Sequence, residues 1–278
     1  MTPADTLMVR AADPFCGNEV LGAVNELADA THSKPISDLV TEGRYRPELL
    51  VTLGKSAAPR YAHFIGRYKD DRDPMVRQSV ATGLGLIDND AITIPVLIQL
   101  LARPTGSEEF SVRWEASEAL VKIGKRKPNE GLRRRVLGLF QERDPMTVTL
   151  AARALAMLGD PRGPDKLREL TAHGEARVRE EALLALADRP DQGAREVVTR
   201  RLKDDNLAVR ACAIWALGRI AGPSAEPLLR SATQDAIAYE QQLLLRKQRG
   251  ESEDSLRDKY GLGAYDLRET LQEALRAR

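Results

Sequence analysis

Apolar residues recur along this chain in a helical rhythm that itself repeats. With the Leu of an Ala-Leu or Gly-Leu pair as reference, the pattern falls at Leu84, Leu120, Leu155, Leu186 and Leu217, at intervals of 36, 35, 31 and 31 residues. Eight positions earlier stand Val76, Val112, Thr147, Val178 and Val209; four earlier, Val80, Ala116, Ala151, Ala182 and Ala213; one earlier, Gly83, Ala119, Ala154, Ala185 and Ala216. These offsets share one face of a helix of 3.6-residue period. The pattern predicts five equivalent helices, each offering small residues beside one Leu, a surface on which neighbouring helices can stack closely.

Start and stop signals repeat with it. Asp73, Glu109, Asp144, Glu175 and Asn206 stand eleven residues before the reference Leu. There Asp and Asn can cap a helix N-terminus and Glu favours the dipole. Pro74 and Pro145 follow, where a missing N–H does little harm. Gly124 and Gly159 predict helix stops four residues after the Leu, and Pro190 takes that place in another repeat. Each of these helices is followed by a second apolar segment, over Ile92–Ala102, Glu130–Phe140, Asp165–Ala172, Gln192–Leu202 and Ser224–Ala232. A helical pair repeated every 31 to 36 residues predicts a solenoid, because one pair alone cannot bury its apolar face.

The expected organisation has three parts. Residues 1–34 form an N-terminal capping segment with one helix over Glu19–Ala30. Residues 35–234 form the array, opening with a degenerate pair: a helix over Ile36–Leu53 broken around Gly43–Pro47, a turn at Gly54 and Lys55, and a helix over Ala58–Tyr68. Residues 235–278 form a C-terminal helical cap or arm. Its helices are Ala236–Gln248, with Ile237, Gln241, Leu244 and Leu245 on one stripe, and Tyr265–Arg276, with Leu267, Leu271 and Leu275 on its apolar side. The fold class expected is all-α.

The repeated segment Asp-x-x-Val-Arg-x-x-Ala-x-x-Ala-Leu-x-x-Ile/Leu-Gly resembles the HEAT-like repeat of the family named after phycobilisome lyases. Glu109–Gly124, Glu175–Leu186 and Asn206–Ala221 carry it well. Asp73–Ile87 has Val80 and Gly83 in place of the two Ala, and Asp144–Gly159 departs further, with Thr147 and Val148 replacing Val-Arg. The resemblance spans about residues 36 to 234. It implies a right-handed α-solenoid of about six HEAT-like repeats whose second helices line a concave side, where partners of such proteins often lie.

Composition narrows the function classes. Charged residues make up 30% of the chain but nearly cancel, leaving a net charge of +1. There is thus no global field to recruit nucleic acid or an anionic membrane. Aromatics are 4% against 42% hydrophobic residues overall, so the core is built from aliphatic side chains. Cys16 and Cys212 lie far apart and give neither a disulfide framework nor metal spacing. The first residues lack a basic segment followed by an apolar run, and no apolar stretch approaches the ~20 residues of a membrane span. A cytoplasmic protein is expected.

Candidate chemistry is sparse. His32, His63 and His173 are not followed by Glu; HEAT-like enzymes resembling deoxyhypusine hydroxylase hold two irons through His-Glu pairs, so that activity is not expected. No catalytic residue, cofactor or metal is assigned. Gly261-Leu262-Gly263 lacks the strand, third Gly and Lys of a phosphate loop and reads as a turn. Arg77, Arg113, Arg179 and Arg210 each follow the repeat Val and are expected to bond acids of neighbouring repeats. The densest charge, Lys122 to Arg135, reads either as a solvated face or as a site for an acidic partner or a phosphate backbone. Trp114 and Trp215 stand off the apolar face, as anchors on a partner surface or as packing between repeats. The resemblance suggests that Arg60, His63, Arg67, Arg133, Arg134, Lys166, Arg195 and Arg200 form a broken basic strip along the concave face. The function expected is a non-enzymatic scaffold or adaptor for a protein partner with an acidic or helical surface. The resemblance also admits a bilin lyase or chaperone, and a DNA-binding protein similar to the HEAT-like alkylpurine glycosylases.

Overall fold

A computed structural model describes residues 40–41, 46–103, 109–190 and 193–276. The expected helix over Glu19–Ala30, together with Cys16 and His32, lies outside them. The described elements are helices: α1 (Arg46–Lys55), α2 (Tyr61–Gly66), α3 (Pro74–Leu86), α4 (Asp90–Leu101), α5 (Glu109–Arg126), α6 (Glu130–Gly138), α7 (Pro145–Met157), α8 (Arg162–Leu170), α9 (Ala176–Asp188), α10 (Ala194–Arg201), α11 (Leu207–Ala221), α12 (Glu226–Gln248), α13 (Glu253–Tyr260) and α14 (Leu267–Arg276). Among the described residues there is no strand. The chain is an all-α protein of the α-solenoid class, built from successive helical pairs.

The reference Leu and the three positions tied to it are buried in each of α3, α5, α7, α9 and α11. The capping signals act as their chemistry requires. The Asp73 carboxylate accepts from the Met75 N–H at 2.8 Å, Asp144 from the Thr147 N–H at 2.8 Å, and Asn206 from the Ala208 N–H at 2.9 Å. Gly159, at φ 75°, ends α7 as a left-handed stop.

The chain divides into two compact units, residues 1–154 and 155–278. In the first, α3 lies between α1 and α5. Here Gly54 sits inside α1 rather than in a turn, because the helices cross at this point: a Cβ on Gly54 would lie 2.5 Å from the Gly83 Cα. The helix α2 is shorter than the sequence suggests, spanning Tyr61–Gly66 with turns on either side. Gly124 does not stop α5, which runs on to Arg126. Its backbone is not left-handed, and Arg126 is held in place by hydrogen bonds to the carbonyls of Leu86 and Ile87 at 3.0 and 3.1 Å.

In the second unit, α11 is the central helix, packed against α9, α10, α12 and α14. Ser224–Ala232 and Ala236–Gln248, read separately in the sequence, are one helix, α12, of 23 residues. No Gly or Pro interrupts it between Leu228 and Arg249, so residues 234 and 235 are consecutive helical positions. The last helix begins at Leu267 because Asp266 caps it, accepting from the N–H groups of Arg268 and Glu269 at 2.8 and 3.1 Å. Gly261 and Gly263, at φ 67° and 75°, form the turn between α13 and α14.

The small residues of the repeat face set how close the helices come. Ala151→Leu or Ala182→Leu, each at a fully buried position, is expected to overpack the stack and lower stability by about 1–3 kcal/mol. Thermal unfolding checks this; an unchanged Tm in both variants would show that this face is not the packed one.

Candidate functional site

The arginines that follow the repeat Val are structural. Arg77 pairs with Glu109 at the start of α5 and donates to the carbonyls of Asp71 and Arg72 at 2.6 and 3.0 Å. Arg113 pairs with Asp144 and donates to the Thr147 hydroxyl at 2.7 Å. Arg179 reaches both oxygens of Asp204, at 2.6 and 3.0 Å, and the carbonyls of His173 and Gly174 at 2.9 and 3.0 Å. Each guanidinium is nearly fully buried and joins the first helix of one repeat to the entrance of the next first helix. Arg210 instead donates to the Asp204 carbonyl and lies 4.1 Å from the centre of the Tyr239 ring. Val148 stands at this offset in α7 and cannot take part.

A second connection was not apparent in the sequence. Arg153, two residues before Leu155, pairs with Glu118, two residues before Leu120. Its guanidinium lies 4.1 Å from the Trp114 ring centre, and Phe110 lies 6.1 Å from the same ring. Opposite charges at one offset of successive repeats were the available signal. Trp114 is half-buried against these groups. Trp215 is also half-buried, with Arg219 at 5.1 Å from its ring.

The Lys122–Arg135 cluster divides. Arg126 holds the end of α3, as described. Lys127 lies 3.4 Å from Asp88 and 3.8 Å from Asp90, and Lys122 3.7 Å from Glu115. Lys125, Arg134 and Arg135 are exposed.

The predicted basic residues fall in both units. In the first, Arg60, His63 and Arg67 flank or lie on α2 and are exposed; Arg60 lies over the Tyr61 ring at 5.0 Å and Arg67 over Phe64 at 4.8 Å. On α6, Arg133 lies 3.9 Å from Glu130, while Arg134 is exposed. In the second unit, Lys166 is 2.8 Å from Glu169 and Arg200 pairs with Glu196, both within their own helices; Arg195 is exposed. His63, Arg133, Arg134, Lys166, Arg195 and Arg200 lie in second helices, whereas Arg60 and Arg67 fall just outside α2.

Titratable chemistry is muted. His173 accepts from the Glu175 N–H at 3.1 Å and so shapes a turn. Burial pushes the Cys212 thiol up to about 12, which leaves it protonated and a poor nucleophile at neutral pH. Burial likewise raises Glu180, against the nearby Arg177. Among the described residues, no group of three or more His, Cys, Asp or Glu side chains is placed to hold a metal ion. No described helix is long and apolar enough to cross a membrane.

Among the described residues, hollows are found in the second unit, beside α14. A hollow of about 190 Å³ is lined by Leu184, Cys212, Trp215, Tyr265 and Glu273 among others. Two larger clefts run between α12 and α14. Sequence reading did not find them, because they arise where the repeat rhythm has ended.

Residues 112–187 and 165–243 match the HEAT-repeat family, so the helical pairs of this stretch are HEAT repeats. No curated protein matches the chain. Among solved structures, the chain is similar to human deoxyhypusine hydroxylase in complex with glycerol, at 20% identity over 99% of this chain and 95% of that one, TM-score 0.37. It is also similar to the complex of CpcE and CpcF of phycocyanin lyase from Nostoc, at 14% identity over 85% and 95%, TM-score 0.44. An engineered protein aligns at 23% identity over 78% and 95%, TM-score 0.37.

Proposed function

We propose that this HEAT-repeat protein is a non-enzymatic scaffold that binds a protein partner with an acidic surface through cations on its second helices. The observation that carries the reading is a division between two sets of basic residues. First-helix Arg77, Arg113 and Arg179 are 5%, 1% and 7% exposed and absorbed in ion pairs between repeats. Basic residues on or flanking second helices stand at the surface: Arg60, His63, Arg67 and Arg134 in one unit, Arg195 in the other. Arg133, Lys166 and Arg200 extend the set, each beside a carboxylate of its own helix that a partner's acid would displace. Such exposed pairs are weak, so exchanging one carboxylate for another costs little.

The test is affinity capture with the full chain from the source lysate, at low salt and at about 0.5 M salt, where exposed pairs are screened. A variant carrying Arg60→Glu, Arg67→Glu, Arg133→Glu and Arg134→Glu is run beside it. We expect a protein partner whose recovery falls about tenfold in the variant, near 1.4 kcal/mol, and in high salt. Equal recovery by both chains, or capture abolished by nuclease, would overturn the proposal.

A further inference from the structure

The clefts between α12 and α14, of about 420 and 370 Å³, share Ile237 and Arg268 and therefore run on from one another along the two helices. Their walls carry apolar residues at helical spacing among polar ones. Ile237 and Leu244, two turns apart on α12, share one cleft with Leu267 of α14, and Ile237 shares the next with Leu271 and Leu275. Leu244 is 42% exposed, and Tyr265, at the rim, also 42%. Large apolar side chains left open beside a groove, on a unit whose other Leu and Ile residues are mostly buried, mark a surface built for contact.

Charge selects the occupant. Glu240 lies one turn from both Ile237 and Leu244 on the same wall, and Asp266 lines the same cleft. Glu240 is half-buried, and its carboxyl is raised first by burial and then by Asp266, with no described cation among the influences on it. The one cation lining this cleft, Arg268, acts on Asp266. A carboxylate partly withdrawn from water beside an apolar wall is completed by a partner's Lys or Arg.

We propose that this groove docks an amphipathic helix of a partner protein, its apolar residues over Ile237, Leu244 and Leu271 and a Lys or Arg meeting Glu240. The groove uses none of the second-helix basic residues and prefers a segment of the opposite charge. It therefore goes beyond the scaffold reading and stands or falls independently.

The test is selection from a displayed library of about 15-residue helical peptides, some four turns each, against the full chain. Selected peptides are then titrated by fluorescence anisotropy. We expect enriched peptides with apolar residues at helical spacing around a central Lys or Arg. Their affinity should fall about tenfold or more in Leu244→Asp and in Glu240→Lys, and be unchanged in Arg133→Glu/Arg134→Glu. In the Glu240→Lys protein, exchanging the central Lys of the peptide for Glu should restore binding. Circular dichroism confirms that each variant is folded. No enrichment over an unrelated helical protein, or peptides indifferent to both groove variants, would overturn the proposal. So would sedimentation showing that Leu244→Asp dissociates a dimer, which would assign the groove to a second copy of the chain.

Discussion

Arg179→Ala is expected to lower the stability of the unit formed by residues 155–278 by about 3–5 kcal/mol. Arg179 binds Asp204 with two hydrogen bonds, at 2.6 and 3.0 Å, and the Asp204 side chain is only 2% exposed. Truncating the guanidinium leaves the buried carboxylate with only Arg201, at 3.4 Å, as cation and the Asn206 N–H as donor, and leaves the carbonyls of His173 and Gly174 without their Arg179 donor. Chemical denaturation measures the loss. The double variant Arg179→Met/Asp204→Leu is expected to recover most of it, because a well-packed apolar pair can match a buried ion pair. A loss below about 1 kcal/mol for Arg179→Ala would show that the pair is not a structural tie.

The same pair gives a pH dependence whose sign can be worked out. Burial acts to raise the Asp204 carboxyl, but the hydrogen bonds from Arg179 and from the Asn206 N–H outweigh it and hold it below its ordinary value. A carboxyl lowered on folding contributes stability that is present above its unfolded value, about 3.9, and is lost as pH falls towards its folded one. In Arg179→Ala the largest lowering influence is gone while the Asn206 N–H and Arg201, at 3.1 and 3.4 Å, remain, so the carboxyl is lowered less and the variant is expected to lose less stability on acidification than the parent chain. Denaturation curves between about pH 3 and 7 separate the two.

Gly218→Val is the second large effect, expected at about 3 kcal/mol. A Cβ at Gly218 would lie 2.3 Å from the Ala274 carbonyl oxygen and 2.8 Å from the Ala274 Cα. These are backbone atoms of α14, which cannot turn aside as a side chain can, so α11 and α14 must part. The change removes a helical Gly and so gains propensity, but by well under about 1 kcal/mol. Hydrogen exchange is expected to quicken over Leu267–Arg276 before the rest of the unit. Gly138→Ala, where nothing lies within 4 Å of the added carbon, is the matched control and is expected to be neutral or slightly stabilising. Unchanged exchange in α14 of Gly218→Val would refute the packing described.

The sequence exposed those parts of the fold that each repeat states for itself. Val112, Ala116, Ala119 and Leu120 could be read because the same four offsets recur and are buried every time. Asp73, Asp144 and Asn206 could be read because capping is local. What depended on how one repeat meets another was harder. Arg126 looked like one more charge in a basic run until its bonds to Leu86 and Ile87 placed it across a repeat boundary. Gly124 looked like a stop because glycine favours the left-handed conformation, a conformation it does not adopt here. The clefts beside Ile237 and Leu244 were out of reach, since the apolar sides of both helices were visible but their pairing was not. Of the proposed basic residues, Arg60 and Arg67 fall outside the short helix α2, and the carboxylates beside Arg133, Lys166 and Arg200 became evident only in three dimensions.

The arginine ties also govern how such a chain can change its length. Each draws its cation from one repeat and its anion from the following one, as Arg77 does with Glu109 and Arg113 with Asp144. Excising one whole period between these arginines would present Arg77 with Asp144, an acid at the same offset from its own reference Leu. An excision out of phase would instead leave a cation in the interior opposite apolar atoms, a burden comparable to the whole stability of a domain. Length changes between these ties are therefore expected to be tolerated in whole periods and rejected in fractions, so that the ties would act as a check on the phase of the repeats.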